Sequence, residues 1–206
     1  MARPMVYLCA FVLGVVLMGF EMIASRYLAP YFGTGVNTWA ALIAVVLLAM
    51  TIGYFIGGYL VDRYPTLRLA AISASLAALW LLLVPIASDL LLEKIMLAFE
   101  SEVTGVMVAS CVLLLAPITC LGTFSPIAVR LMIHDIGTTG STAGTIYGVS
   151  TFGNIVGTLG TALYVIPNIG SDTATYAFAA IAFVAAGLLW LCAGRLHVEK
   201  AAGWSN

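Results

Sequence analysis

Apolar residues run almost unbroken for about twenty positions at a time, separated by short clusters of Gly, Pro and charged residues. A bilayer core of about 30 Å needs about 20 apolar residues per helix. On that ruler the chain holds six spans, over residues 5–28, 39–61, 69–90, 103–121, 142–166 and 173–194. The runs are continuous rather than alternating, which excludes the strands of a membrane barrel. The fold class that follows is all-α: a polytopic membrane bundle of six transmembrane helices over residues 1–194, with a short polar tail at 195–206. Between the third and fourth spans, Leu91, Leu92, Ile95, Met96 and Phe99 recur near helical spacing among Asp89, Glu93 and Glu100. That segment, 88–102, reads either as a short helix on the membrane surface or as an extension of the third span.

Composition removes other classes. Charged residues make up 8% of the chain, against about a quarter in a soluble domain. No stretch is polar enough to fold in water, so membrane lipid is the first partner implied. The cations are scattered singly, which excludes a nucleic-acid partner. Cys9, Cys111, Cys120 and Cys192 fall inside apolar segments without a C-x-x-C pair and read as small buried hydrophobes. His134 and His197 are too isolated for a metal site, and no metal or other cofactor is expected. Arg3, the apolar run after it and Ile23, Ala24 and Ser25 imitate a secretory signal. The apolar run continues past Glu21 through Met22, Ile23 and Tyr27 to Leu28, so the segment reads as a retained span.

Charge then sets orientation. Six crossings put both termini on one side, with Arg3, Arg63, Arg68, Arg130, Arg195 and Lys200; only Arg26 and Lys94 fall opposite. The excess of cations places both termini in the cytoplasm.

Polar residues inside the spans are the candidates for function. Glu21 lies about 24 Å along the first helix from Met5, and a carboxylate within the membrane reads by default as a functional group. Arg26, five residues on, is about 140° around the helix, so the two do not share a face. The partner of Glu21 should come from other helices or from residues 30–37, as a structural pin or as part of a proton- or cation-handling site. In the second span Ala49, Gly53 and Gly57 form a stripe of small residues at spacing four, suited to close helix packing. In the fifth span Gly153, Gly157, Gly160 and Tyr164 share one face, and Ser150, Thr151, Asn154, Thr158 and Thr161 form a polar face beside it. An amide at mid-span without partners costs several kcal/mol, so this helix should be central in the bundle or should line a water-accessible cavity. Pro117, Gly122 and Pro126 argue for a kinked or broken fourth helix.

Catalytic patterns are missing from the sequence. There is no G-x-S-x-G, no H-E-x-x-H and no Gly-rich phosphate loop. Ser125, His134 and Asp135 lie close together, but no framework shapes them into a triad. No enzymatic activity is expected of this chain.

Three stretches together carry a family resemblance. One runs Gly19, Phe20, Glu21, Met22 to Arg26, Tyr27, Leu28, Ala29, Pro30, Tyr31, Phe32, Gly33; another is Gly57, Gly58, Tyr59, Leu60, Val61, Asp62, Arg63. The third comprises 125–130, ending in Arg130, and the glycine-rich 143–158. In this order they resemble the membrane domain of bacterial fused major-facilitator/spermidine-synthase-like proteins, over about residues 11–176. Gly58, Asp62 and Arg63 also look like the loop motif between the second and third helices of major facilitators, without its Gly-Arg-Lys continuation. Family members often continue into a cytoplasmic aminopropyltransferase domain; these 206 residues contain no Gly-rich strand–turn–helix for that chemistry. The resemblance implies half of a major facilitator in a bacterial inner membrane. Such a module would bind or move a small metabolite, a polyamine-like cation being one candidate, with a homodimer or another membrane subunit completing it. A rival expectation is a non-transporting membrane subunit that anchors or regulates a partner enzyme, such as an aminopropyltransferase-like protein.

Overall fold

A computed structural model describes residues 2–133 and 136–193. They form six helices long and apolar enough to cross a membrane, the architecture of a multi-pass membrane protein, and the described residues include no strand. The helices are α1 (Arg3–Phe32), α2 (Val36–Arg63), α3 (Arg68–Ala98), α4 (Glu102–Met132), α5 (Thr139–Ile169) and α6 (Ser171–Ala193). Each outruns the apolar span that predicts it, except that α6 is followed only to Ala193. Charged residues occupy several of the extra turns, Arg63, Lys94 and Arg130 among them. Residue 194 and the tail, with Arg195, His197 and Lys200, lie outside the described residues, as do His134 and Asp135.

Local chemistry sets where the helices stop. Gly33 takes φ +70° just past Pro30 and turns the chain into α2, a conformation open to glycine at little cost. The Thr38 hydroxyl holds that turn by donating to the Phe32 and Gly33 carbonyls at 3.2 and 3.1 Å. Gly170, φ +76°, does the same between α5 and α6. Residues 88–98 extend α3 without a break, so of the two expectations for this segment the extension of the third span is the one found.

The prolines of α4 do not break it. A π-helical turn at Cys111–Leu115 precedes Pro117, and a second one at Thr161–Val165 precedes Pro167 in α5. A proline inside a helix removes a donor and crowds the carbonyl four residues back; a wide turn at that place relieves both. The one joint in α4 is at Thr123, after which the helix resumes as Phe124–Met132 with Pro126 in its first turn, where its missing N–H costs little. The fourth span, expected to end at 121, therefore continues for about three turns, to Met132.

Packing follows the glycines. The principal pairs are α1 with α5, α2 with α4 and α3 with α6. Exchanging the first three helices for the last three maps this set of pairs onto itself, while each helix is swapped for one running the opposite way. On α5, Cβ atoms at Gly153 and Gly157 would strike the carbonyls of Phe11 and Val15 in α1, and one at Gly14 would strike that of Ser150. On α2, Cβ atoms at Gly53 and Gly57 would lie 2.5 and 2.6 Å from the Thr119 and Thr123 carbonyls of α4. Small residues thus bring two pairs of backbones into contact, the usual means of holding helices together in lipid. Gly160 takes no part, since a Cβ there would meet nothing. The contact line has rotated to Thr161, whose hydroxyl would lie 2.8 Å from a Cβ on Gly19.

α5 is not central. It is the least enclosed of the six helices and α1 the most, with Phe152, Ile155, Leu159, Leu163 and Tyr164 of α5 all exposed. Of its polar face, Ser150, Thr151 and Asn154 border a cavity, and Thr158 and Thr161 do not.

Candidate functional site

Where α1, α2, α4 and α5 come together they leave a cavity of about 70 Å³, room for a few water molecules. Leu13, Gly14 and Leu17 of α1 line it. Ser150, Thr151 and Asn154 of α5 line it too, with Tyr54 of α2 and Ser125 of α4. Tyr54 and Tyr147 meet edge-on across the gap between α2 and α5, with ring centroids 6.4 Å apart. Gly153 seats α5 on α1, and the next residue, Asn154, lines the cavity.

Asn154 is held there at a cost. Its Oδ1 is fully buried and accepts no hydrogen bond, lying 3.0 Å from where a Cβ on Gly14 would be. A buried polar atom left without a partner costs about 1–3 kcal/mol. Thr151 lines the same cavity and is otherwise exposed; Thr158, one turn beyond Asn154, is half-buried and lies outside the lining.

Glu21 is 7% exposed, so most of the residue is enclosed by protein rather than by lipid. Among the described residues nothing forms a hydrogen bond or ion pair with it. The partner expected from another helix or from residues 30–37 is not there. Glu21 does not line the cavity of Asn154. It lies four residues beyond Leu17, which lines that cavity, and four before Ser25, which lines a second one at the far end of α1. Along α1, Glu21 therefore falls between the stretch that lines the first cavity (Leu13, Gly14, Leu17) and the stretch that lines the second (Met22, Ser25, Arg26). Arg26 is exposed and lines the second cavity.

The charged motif lies apart from both cavities. Arg130 at the end of α4 donates through Nε to Asp62 Oδ1 at the end of α2, at 3.2 Å. Arg63 donates to the Tyr59 hydroxyl at 2.9 Å, and Gly58 faces open space. Both members of the Asp62–Arg130 pair are largely exposed, and such pairs contribute about 0–1 kcal/mol. It clips together the ends of the two helices that Gly53 and Gly57 already join.

Sequence spacing does not find everything at this site. Ser125, Tyr54 and Tyr147 come to the cavity from three helices, and nothing in their spacing links them to Asn154. The second cavity has no signal beyond Arg26. A signal for the wide turns does exist, a proline two residues after each, and at Pro167 it is easily overlooked. No group of three or more His, Cys, Asp or Glu able to hold a metal ion occurs among the described residues.

Comparison with protein families, with curated proteins and with solved structures finds no match for this chain.

Proposed function

We propose that this protein is half of a membrane transporter: a six-helix module like one half of a major facilitator, with both termini in the cytoplasm of a bacterial cell. A second copy or another membrane subunit completes it. It binds a small cationic metabolite of polyamine type on the side of α1 that carries Glu21, beside the cavity lined by Asn154. It performs no covalent chemistry.

One observation carries the reading. A side chain with a carboxylate, largely enclosed by protein and without a hydrogen-bond or ion-pair partner among the described residues, lies on α1 between the stretches that line two cavities. An uncompensated ionic group is expensive there, and an ammonium group on a bound solute supplies the missing charge. The pairing of α1 with α5 and α4 with α2 adds support, because an inverted repeat of three helices is the plan of a major-facilitator half.

Uptake of radiolabelled putrescine and spermidine into proteoliposomes tests this directly, with wild type beside Glu21→Gln. The substitution keeps the size and removes the charge. Losing a hydrogen bond to a charged group costs about 1.5–3 kcal/mol, so uptake should fall at least about tenfold. Equal uptake by the two proteins would contradict the role of Glu21. Absence of uptake for every solute tried would favour a non-transporting subunit that anchors a partner enzyme.

A further inference from the structure

The second cavity, about 240 Å³, lies between the C-terminal end of α1, the start of α2 and the wide turn of α5. It carries one ion, Arg26. Beside Arg26 stand Thr34 and Trp39, and Met22, Ala162 and Ile166 make an apolar wall. Among the described residues Arg26 forms no ion pair or hydrogen bond. The carboxylates that α1 reaches at this end are already engaged: Asp172 accepts from the Tyr27 hydroxyl at 2.8 Å, and Asp89 accepts from that of Tyr31 at 3.3 Å.

Depth narrows the ligand. Arg26 follows Met5 by 21 residues, about 32 Å of helix, while the hydrocarbon core is about 30 Å thick. The guanidinium therefore reaches the level of lipid headgroups, and Trp39 sits where indoles favour the membrane interface. The apolar wall continues toward lipid through the neighbouring Leu163, which is 75% exposed.

We propose that this cavity binds the phosphate of an anionic phospholipid. The Arg26 guanidinium, whose planar fork matches phosphate oxygens, is joined by the Thr34 hydroxyl and the Trp39 indole N–H as donors. An acyl chain lies along Met22, Ala162 and Ile166. The site is independent of the Glu21 reading, since neither charge needs the other. A soluble phosphate ester shares the headgroup chemistry but leaves the apolar wall bare.

Native mass spectrometry of the purified full-length protein, with phosphatidylglycerol added, tests the assignment. Wild type should retain the lipid, and phosphatidylcholine far less. Arg26→Gln should retain about tenfold less phosphatidylglycerol, the effect of losing one charge-assisted contact, and Arg26→Lys should fall between. Lys94→Gln, which removes an exposed cation at the same end, should behave as wild type. Ala162→Phe fills the cavity with Arg26 intact and should also lose the lipid, which keeps the test decisive if Arg26→Gln does not fold. Retention by Arg26→Gln equal to wild type would overturn the proposal. So would equal retention of phosphatidylcholine, or displacement of the lipid by glycerol 1-phosphate at equal concentration, which would assign the site to a soluble ester.

Discussion

Gly153→Leu and Gly157→Leu should each detach α5 from α1 and lower the thermal midpoint in detergent more than any other single change in the bundle. Both residues sit where even a Cβ would strike a backbone carbonyl of α1, at Phe11 and Val15. A flexible side chain could move aside; a helix backbone cannot, so the helices must separate. Overpacking a well-filled interior costs about 1–3 kcal/mol, and the lost backbone contact adds to that. Gly160→Leu is the matched control. Its Cβ direction is open, and a longer side chain there replaces a flexible glycine in a helix, so the midpoint should stay or rise slightly. If Gly160→Leu proved as damaging as Gly153→Leu, the packing of α5 described above would be wrong.

Asn154→Leu should separate stability from activity. The substitution removes an amide oxygen that is buried without a hydrogen bond, so the folded bundle should gain about 1–3 kcal/mol. The same change makes the cavity wall apolar beside Ser150 and Thr151 and should cut solute uptake severely. Functional groups kept at a cost to stability show this opposition. A thermal midpoint and an uptake rate measured on one preparation check both halves. A variant both less stable and less active would mean that Asn154 is a packing residue.

Much of the fold is legible in the sequence because lipid imposes a length. Twenty apolar residues in a row have few alternatives to a crossing helix, and the runs over 5–28 or 39–61 leave none. The small-residue stripes at Gly53/Gly57 and Gly153/Gly157 are also readable, since spacing four marks a helix face. What spacing cannot give is the line along which two helices meet. Gly160 belongs to the same face of α5 as Gly157, yet the crossing angle carries the contact on to Thr161. Pro117 and Pro126 suggest a break, but the wide turn at Cys111–Leu115 accommodates the first and the joint at Thr123 the second.

The site is legible only as separate residues. Glu21 and Asn154 stand out because each is costly in an apolar setting. Sequence says nothing of the cavity between α1, α2, α4 and α5, because its walls come from four helices whose relative positions are tertiary. For the same reason the missing partner of Glu21 could not be foreseen. A structural pin and an uncompensated carboxylate look alike along one chain.

Spin labels at single cysteines along α5, in liposomes and on a background with the native cysteines replaced, measure whether its polar face borders water. Collisions with a water-soluble nickel chelate are compared with collisions with oxygen, which concentrates in hydrocarbon. A label at Ser150, on the cavity side, should meet the chelate, while labels at Phe152 and Leu159, on the exposed apolar side, should meet oxygen. If Ser150 gives the same oxygen-dominated signal as Phe152 and Leu159, that face lies against lipid, and the account of a solute path along α1 is wrong.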